Sequence, residues 1–558
     1  MRVRATRLAA AASLALLFLA AQPESRLQTA RSLLTGEHKD ADAARRLLLE
    51  IVEAAAPPDA ETLAYACVYL GYLEDRGGNR QQALAWFRKA LAAEGASPGI
   101  LAVARAGLER PVTWIRHLDQ PEPASPPRST APAAARPPAK AYVTPQQPPD
   151  TALARNLTAR ERRENFEALW SALDKTYACF QLKGIDWAEV GRRYRARLDT
   201  IESDDAFYEL LFQLVNELRD THSWLQNYRP AALYEAAGVS VDLFEGRPFV
   251  VAVRPASPAA AAGAAAGWEV VAVDGRAPAE ILESLRPRLH AASSERAWRR
   301  EAGRHVLAAG TAAPARVELR SPEGRTKTVT LPRAQAGMAP PPPRPPVDLL
   351  LTRQRFVHFG LHPSGLGYIR IESFNGRAEI AREFDRALDE LRDTPGLLLD
   401  IRDNPGGYGQ PQIVGRLLAR RTLTSIGYLK SGPRHSDLTR RKSYLEPAGP
   451  WQYGGPVALL VNDRTGSAAD LFACELRSAR RVLTVGTTTH GNLSGVAAYV
   501  VLPCGLVVRV SNGYLADARD RPIEVNGNPP DIAVEPTIAD FLAGRDPVLE
   551  RAAAALRR

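Results

Sequence analysis

The stretch from Arg464 to Asn492, RTGSAADLFACELRSARRVLTVGTTTHGN, sets Ser467 between an apolar strand pattern, PVALLVND, and a helical pattern beginning near Ala468. A serine at such a junction shares its space with the first unpaired amides of the helix, and amides so placed stabilise an oxyanion. A second donor stands in RDNPGG, where Gly406 and Gly407 follow another strand pattern. Ser467, Ala468 and the Gly406-Gly407 turn therefore have the chemistry of a nucleophile beside an oxyanion hole. Each piece alone has a plainer role, the serine as a helix N-cap and Pro-Gly-Gly as a turn. No base lies close by in an obvious place: Lys430 and Lys442 precede the serine in a loop pattern, and His490 sits in the loop beside Asn492.

The elements that must position these residues alternate. GLGYIRIESF reads as a strand, AREFDRALDELRD as a helix, GLLLDIRDNPGG as a buried strand entering a tight turn, PVALLVND as a strand and AADLFACELRSA as a helix. Such alternation predicts an α/β core over 349–543, with its site at strand carboxyl ends, followed by a helix over 544–558. Residues 153–230 carry helical periodicity in FEALWSALDKTYACF and AFYELLFQLVNELRD, ending in DTHSW. Residues 231–333 change to short strands, and SPAAAAGAAAGWEVVAVDG resembles the part of a PDZ domain where a small-residue helix leads through a glycine turn into a strand. RAQAGMAPPPPRPPVD supplies a proline-rich hinge over 334–348.

The front of the chain reads differently. MRVRATRLAAAASLALLFLAAQ has a basic start and an apolar run of about 14 residues, too short for a mature membrane span, so residues 1–21 read as a secretory signal peptide. The expected location is periplasmic or secreted, with no stable membrane span after cleavage. Over 26–118 the helices resemble a tetratricopeptide repeat, with Leu70, Gly71, Ala83, Phe87 and Ala90 at the repeat spacing and a weaker copy at Ala44, Leu48 and Ile51. That segment could hold a protein partner or only pack. Residues 119–152 are rich in proline and alanine and read as an extended linker. Cys67, Cys179, Cys474 and Cys504 show no metal-like spacing, so neither metal nor redox chemistry is indicated. The net charge of +10 comes almost wholly from scattered arginines, which argues against a nucleic-acid surface.

Taken in order, LLLDIRDNPGG, PVALLVNDRTGSAAD, RRVLTVG and PPDIAVEP resemble the tail-specific, or C-terminal processing, serine peptidases and their tricorn-core relatives. With the helical block and PDZ-like insert the resemblance spans about 157–540. It implies a multidomain α/β protein with a ClpP/crotonase-like peptidase core, a helical subdomain, a PDZ-like β-rich domain and an N-terminal helical repeat. It also implies a nucleophile at Ser467, with Asp470 where many members carry glutamate. The lysine base of the processing branch corresponds to Asn492, which takes no proton at neutral pH. The tricorn-like branch instead uses histidine and glutamate, and the matching places hold His222 in LRDTHSW and Glu524 in RPIEVNGNPPDI. A neutral imidazole can accept the seryl proton, and a carboxylate on its far nitrogen fixes the tautomer.

The expected group is thus Ser467, His222 and Glu524, with Thr221 hydrogen-bonding inside it, Gly406, Gly407 and Ala468 holding the oxyanion, and His490 as the competing base. The expected activity is hydrolysis of extended or unfolded polypeptide, without cofactor. The rival expectation is a catalytically inactive peptide- or apolar-ligand-binding protein on the same fold. A third is an interaction scaffold built on the repeat and PDZ-like modules.

Overall fold

A computed structural model describes residues 26–27, 29–30, 41–54, 58–76, 79–96, 98–109, 140–149, 151–335, 349–376 and 378–557. The expected signal peptide, most of the 119–152 linker and most of the 334–348 hinge lie outside them. The chain divides into two compact units, 1–133 and 134–558.

In the first unit, helices Ala41–Val52, Ala60–Arg76, Arg80–Leu91 and Pro98–Glu109 share a core that includes Ala44, Leu48, Ile51, Leu70, Ala83, Phe87 and Ala90. Phe87 explains the glycines around it. A Cβ at Gly71 would lie 2.6 Å from its ring and one at Gly107 2.8 Å, so only glycine lets three helices close on the aromatic.

Two of the sheets in the second unit position the site. The first runs Leu351–Arg353, Val357–Leu361, Gly367–Ile371, Leu397–Asp400, Val457–Val461, Leu483–Gly486 and Ile532–Ala533 in spatial order. Its first three strands are antiparallel neighbours and the rest pair in parallel. LLLD and VALLV are buried at every position, because helices Ala378–Glu390 and Ala468–Ser478 cover one face and Pro547–Leu556 the other.

The second sheet is antiparallel: Tyr142–Thr144, Ser494–Val501, Val507–Asp517, Thr422–Lys430 and Leu438–Leu445, with Trp224–Leu225 also paired to Val507–Asp517. Two expectations change here. The end of the presumed linker is an edge strand, Tyr142 opposite Val501, because Tyr-Val-Thr suits a pleated edge. The presumed hinge begins later, since Arg333–Gln335 pairs with Tyr234–Ala236.

The helices Ala159–Thr176, Trp187–Leu198 and Asp204–Asn216 bury Phe166, Leu169, Leu173, Phe207, Leu211 and Leu214 against Val500, Leu502, Val508 and Val510 of this sheet. Helical block and sheet therefore have one core. Between helical block and α/β core, Val239–Phe244, Arg247–Val253, Glu269–Val273, Ala315–Arg320 and Thr326–Leu331 form a five-stranded antiparallel sheet with its own core. No helix among the described residues is long and apolar enough to cross a membrane.

The turn after Leu397–Asp400 is fixed by charge. Arg402 donates to Asp400 at 3.0 and 2.7 Å and to Asp546 at 2.8 and 2.7 Å, while Asp546 also caps the last helix through Leu549 N at 3.0 Å. Asp546→Ala removes the cap and half of a buried guanidinium's carboxylate partners. It is expected to cost about 3 kcal/mol, measured by urea unfolding, with Asp546→Asn losing less because it keeps the cap.

Candidate active site

Ser467 follows the strand Val457–Val461 and a short loop that is pinned from three sides. Thr465 Oγ1 donates to Ile401 O at 3.0 Å, Gly466 N donates to Asn404 O at 3.0 Å, and Arg464 reaches both oxygens of Asp242 at 2.7 and 2.8 Å. The pinning holds Ser467 at φ 56°, ψ −120°, a conformation that costs a non-glycine residue roughly 1–3 kcal/mol. Its side chain makes no capping bond to the helix it precedes. The Ser467 amide donates instead to Asn492 Oδ1 at 2.5 Å, and Oγ lies 3.1 Å from His222 Nε2.

Behind the serine stand the amides. Ala468 N and Gly407 N make no hydrogen bond among the described residues. Gly406 N is occupied, donating to Asn404 Oδ1 at 2.9 Å, so of the two glycines expected as donors only Gly407 has a free amide. Gly406 has a different use: a Cβ there would sit 2.6 Å from Ser467 Cβ. Gly407, at φ 134°, passes so close to Phe374 that a Cβ would lie 2.3 Å from its carbonyl carbon.

His222 arrives from the helical block. The chain leaves Asp204–Asn216, turns through Arg219 at φ 48°, and enters the strand Trp224–Leu225, whose pairing with Val508 and Arg509 fixes the loop between. His222 N donates to Asp220 Oδ1 at 2.9 Å, and the Arg509 guanidinium donates to the His222 carbonyl. On the far side of the ring, Nδ1 is 3.3 Å from Ser494 Oγ, which donates to Asp220 Oδ1 at 2.7 Å.

Glu524 is one residue further back than expected. It is fully buried, its Oε1 lies 2.6 Å from Lys183 Nζ, and its Oε2 accepts the Ser494 amide at 2.7 Å. No hydrogen bond joins it to His222 among the described residues; Ser494 occupies the position between them. Thr221 also faces elsewhere, its Oγ1 accepting the Ser293 amide at 3.1 Å. His490 does not reach the serine. Its amide donates to Thr465 O at 2.9 Å and its Nδ1 has no partner among the described residues. Asp470 holds the loop that carries Asn492, accepting the Gly491 and Asn492 amides at 3.1 Å each and the Thr489 hydroxyl.

The electrostatics favour a neutral imidazole. Burial pulls His222 down to about 4 against the attraction of Asp220, and Arg509, His290 and Lys183 add to the pull. Burial would raise Asp220, but Lys183, His222 and the Ser494 bond outweigh it and bring it to about 2. Burial would likewise discharge Lys183, yet Glu524 and Asp220 hold its ammonium above the usual range. Burial raises Glu524 against the opposing charge of Lys183.

Asp220, Ser494 and Lys183 were not singled out from the sequence. Asp220, two residues before the histidine in DTH, had a signal in its Asx spacing. Ser494 and Lys183 had none.

Against known proteins, residues 365–534 match peptidase family S41 and residues 158–216 match the tricorn protease C1 domain. Tricorn protease homolog 1 of Streptomyces coelicolor is 28% identical over 420 residues, 71% of this chain and 35% of that protein. The chloroplastic C-terminal processing peptidase of Tetradesmus obliquus is 26% identical over 393 residues, 67% of this chain and 77% of that protein. The chain thus spans about a third of the length of the Streptomyces relative. Among solved structures, mature CPAF complexed with lactacystin aligns with a TM-score of 0.60 at 16% identity, covering 72% of this chain and 98% of that one. That likeness is one of fold.

With His222 as the expected base, an imidazole held near 4 gives a definite pH profile. The rate at which Ser467 reacts with a small phosphonate should stay level from pH 8 to about 5 and halve near 4, where His222 gains its proton. The groups facing the ring are Asp220, Arg509, His290, Lys183 and His490. A midpoint at the ordinary 6.5 would place the ring in water. The same displacement makes folding less favourable as pH falls from 6.5 to about 4, because only the unfolded chain protonates there.

Proposed function

We propose that this chain, which carries the core of a serine peptidase of family S41, is an exported enzyme that hydrolyses extended or unfolded polypeptide. The observation that carries this reading is the 3.1 Å approach of His222 Nε2 to the Oγ of a serine held in a strained turn. Ser467 Oγ attacks the scissile carbonyl, its proton passes to His222 Nε2, and the carbonyl electron pair moves onto an oxygen facing the Gly407 and Ala468 amides. His222 then gives that proton to the leaving amine as the C–N bond breaks, and water repeats the sequence on the acyl-serine. Glu524, read from resemblance as the third member, supports the group by holding the Ser494 amide. His222 supplies the base that Asn492 cannot.

The five-stranded unit, read as PDZ-like, would present the chain to be cut by adding it to a sheet edge. The front helices, read as a tetratricopeptide-like unit, would hold a partner. The alignment of Ser467 with His222 favours this reading over a ligand carrier on the same fold, for which such contact serves no purpose.

The test is labelling of the mature protein by a fluorophosphonate probe. Wild type should label, and Ser467→Ala and His222→Ala should each lower the rate by about 1,000-fold or more. Equal labelling of wild type and His222→Ala would sink the assignment of the base.

A further inference from the structure

We propose that Asp220, acting through the hydroxyl of Ser494, is the carboxylate that fixes the tautomer and orientation of His222, while Glu524, paired with Lys183, serves the backbone. This rests on the reading of Ser467 and His222 as nucleophile and base.

Counting protons fixes the tautomer. Ser494 Oγ carries a single proton, and at 2.7 Å from Asp220 Oδ1 that proton is committed to a group that only accepts. Towards His222 Nδ1, 3.3 Å away, the hydroxyl can then only accept. Nδ1 must therefore carry the ring proton, which leaves Nε2 with a lone pair aimed at Ser467 Oγ. One carboxylate thus dictates, across a hydroxyl, the tautomer that a general base requires.

Asp220 is built for that task. Its Oδ1 also accepts the His222 amide at 2.9 Å, so ring and backbone of the same histidine are referred to one oxygen. Its Oδ2 accepts the Ser223 hydroxyl at 2.8 Å, and Ser223 Oγ accepts the Ser511 amide at 3.0 Å, which ties the carboxylate to the strand Val507–Asp517. Glu524 has both oxygens engaged elsewhere, on Lys183 and on the Ser494 amide. Its effect on the imidazole passes through the position of Ser494, which makes Glu524, Lys183, Ser494 and Asp220 positioning residues.

During attack the seryl proton moves to Nε2 as the Oγ–C bond forms. The Nδ1 proton stays on the ring and the Ser494 proton stays on Oγ. Both hydrogen bonds tighten as positive charge appears on the ring, and Asp220 takes up no proton.

The experiment compares wild type with Asp220→Asn, Ser494→Thr, Ser494→Val and the charge-neutral pair Lys183→Met with Glu524→Gln. Two readouts are taken: the rate of fluorophosphonate labelling and the low-field proton resonance of His222 Nδ1–H. Labelling should fall about 100-fold in Asp220→Asn and be about ten-fold slower in Ser494→Val than in Ser494→Thr, which has the same shape and keeps the hydroxyl. The charge-neutral pair should label more slowly than wild type but faster than Asp220→Asn. The resonance should persist in wild type, the threonine variant and the charge-neutral pair, and vanish in the other two. Equal behaviour of the threonine and valine variants, or loss of labelling and resonance in the charge-neutral pair, would overturn the proposal. Because the resonance reports geometry in an unreactive chain, failure of wild type to label overturns the peptidase reading alone.

Discussion

Two side chains 245 residues apart must meet across one hydrogen bond, and the architecture of the second unit follows from that demand. A contact between two such distant side chains is lost if either is displaced by an ångström, so Ser467 and His222 need supports that share a rigid core. The helical block supplies one. Its apolar faces close directly on the antiparallel sheet, with Phe166 and Leu211 in the same cluster as Val500 and Val508, and Leu218 and Leu225 on either side of the histidine loop belong to that core too. The serine rests on the parallel sheet, and the turn beside it is held by the buried Asp400 and Arg402 together with the half-buried Asp546. The five-stranded unit touches both loops, through Ser293 to Thr221 on the histidine side and through Asp242 to Arg464 on the serine side.

Buried charge around His222 is arranged so that the ring stays neutral. Two carboxylates, Asp220 and Glu524, surround one ammonium, Lys183, in a space from which water is largely excluded. Lys183 has a second anchor in the Arg219 carbonyl at 2.5 Å, at the turn that begins the histidine loop. An isolated charge there would be expelled or neutralised, and the three persist because each has a hydrogen-bonded partner. The Lys183 to Glu524 pair also joins the helical block to the loop before the last strand of the parallel sheet. It therefore closes the same gap that the Ser467 to His222 contact spans.

The strands and helices of the parallel sheet could be read from local pattern, because runs such as LLLD and VALLV declare themselves by composition. Ser467 and His222 could be read as well, one from its strand-to-helix junction and the other from resemblance. The antiparallel sheet was far less legible. Thr422–Lys430, Val507–Asp517 and Tyr142–Thr144 belong to it, and nothing in periodicity tells a strand which distant segment it will pair with. For the same reason Lys183 and Ser494 escaped notice, being ordinary in their local sequence, while Glu524 was named from resemblance alone; the two gain meaning only when helical block and sheet bring each within 3 Å of Glu524. Gly406 shows a subtler limit: the turn was right, but which of two adjacent amides stays free depends on where the Asn404 side chain folds.

Asn492 bears on the serine through its backbone. By resemblance to the processing branch a lysine would be expected at this position. Here the shorter amide side chain points at the same turn yet takes the Ser467 backbone N–H, leaving Oγ unbound on that side. The loop that carries it is held by Asp470 through two consecutive amides, so the asparagine is placed with the care owed to a functional group, although it moves no proton. A base on that side would compete with His222 for the seryl hydroxyl, and a cation there would lower the imidazole further. Asparagine at this position keeps the turn that exposes the serine and adds no competitor, so the imidazole on the opposite wall, carried by the helical block, is the basic group within reach of Oγ.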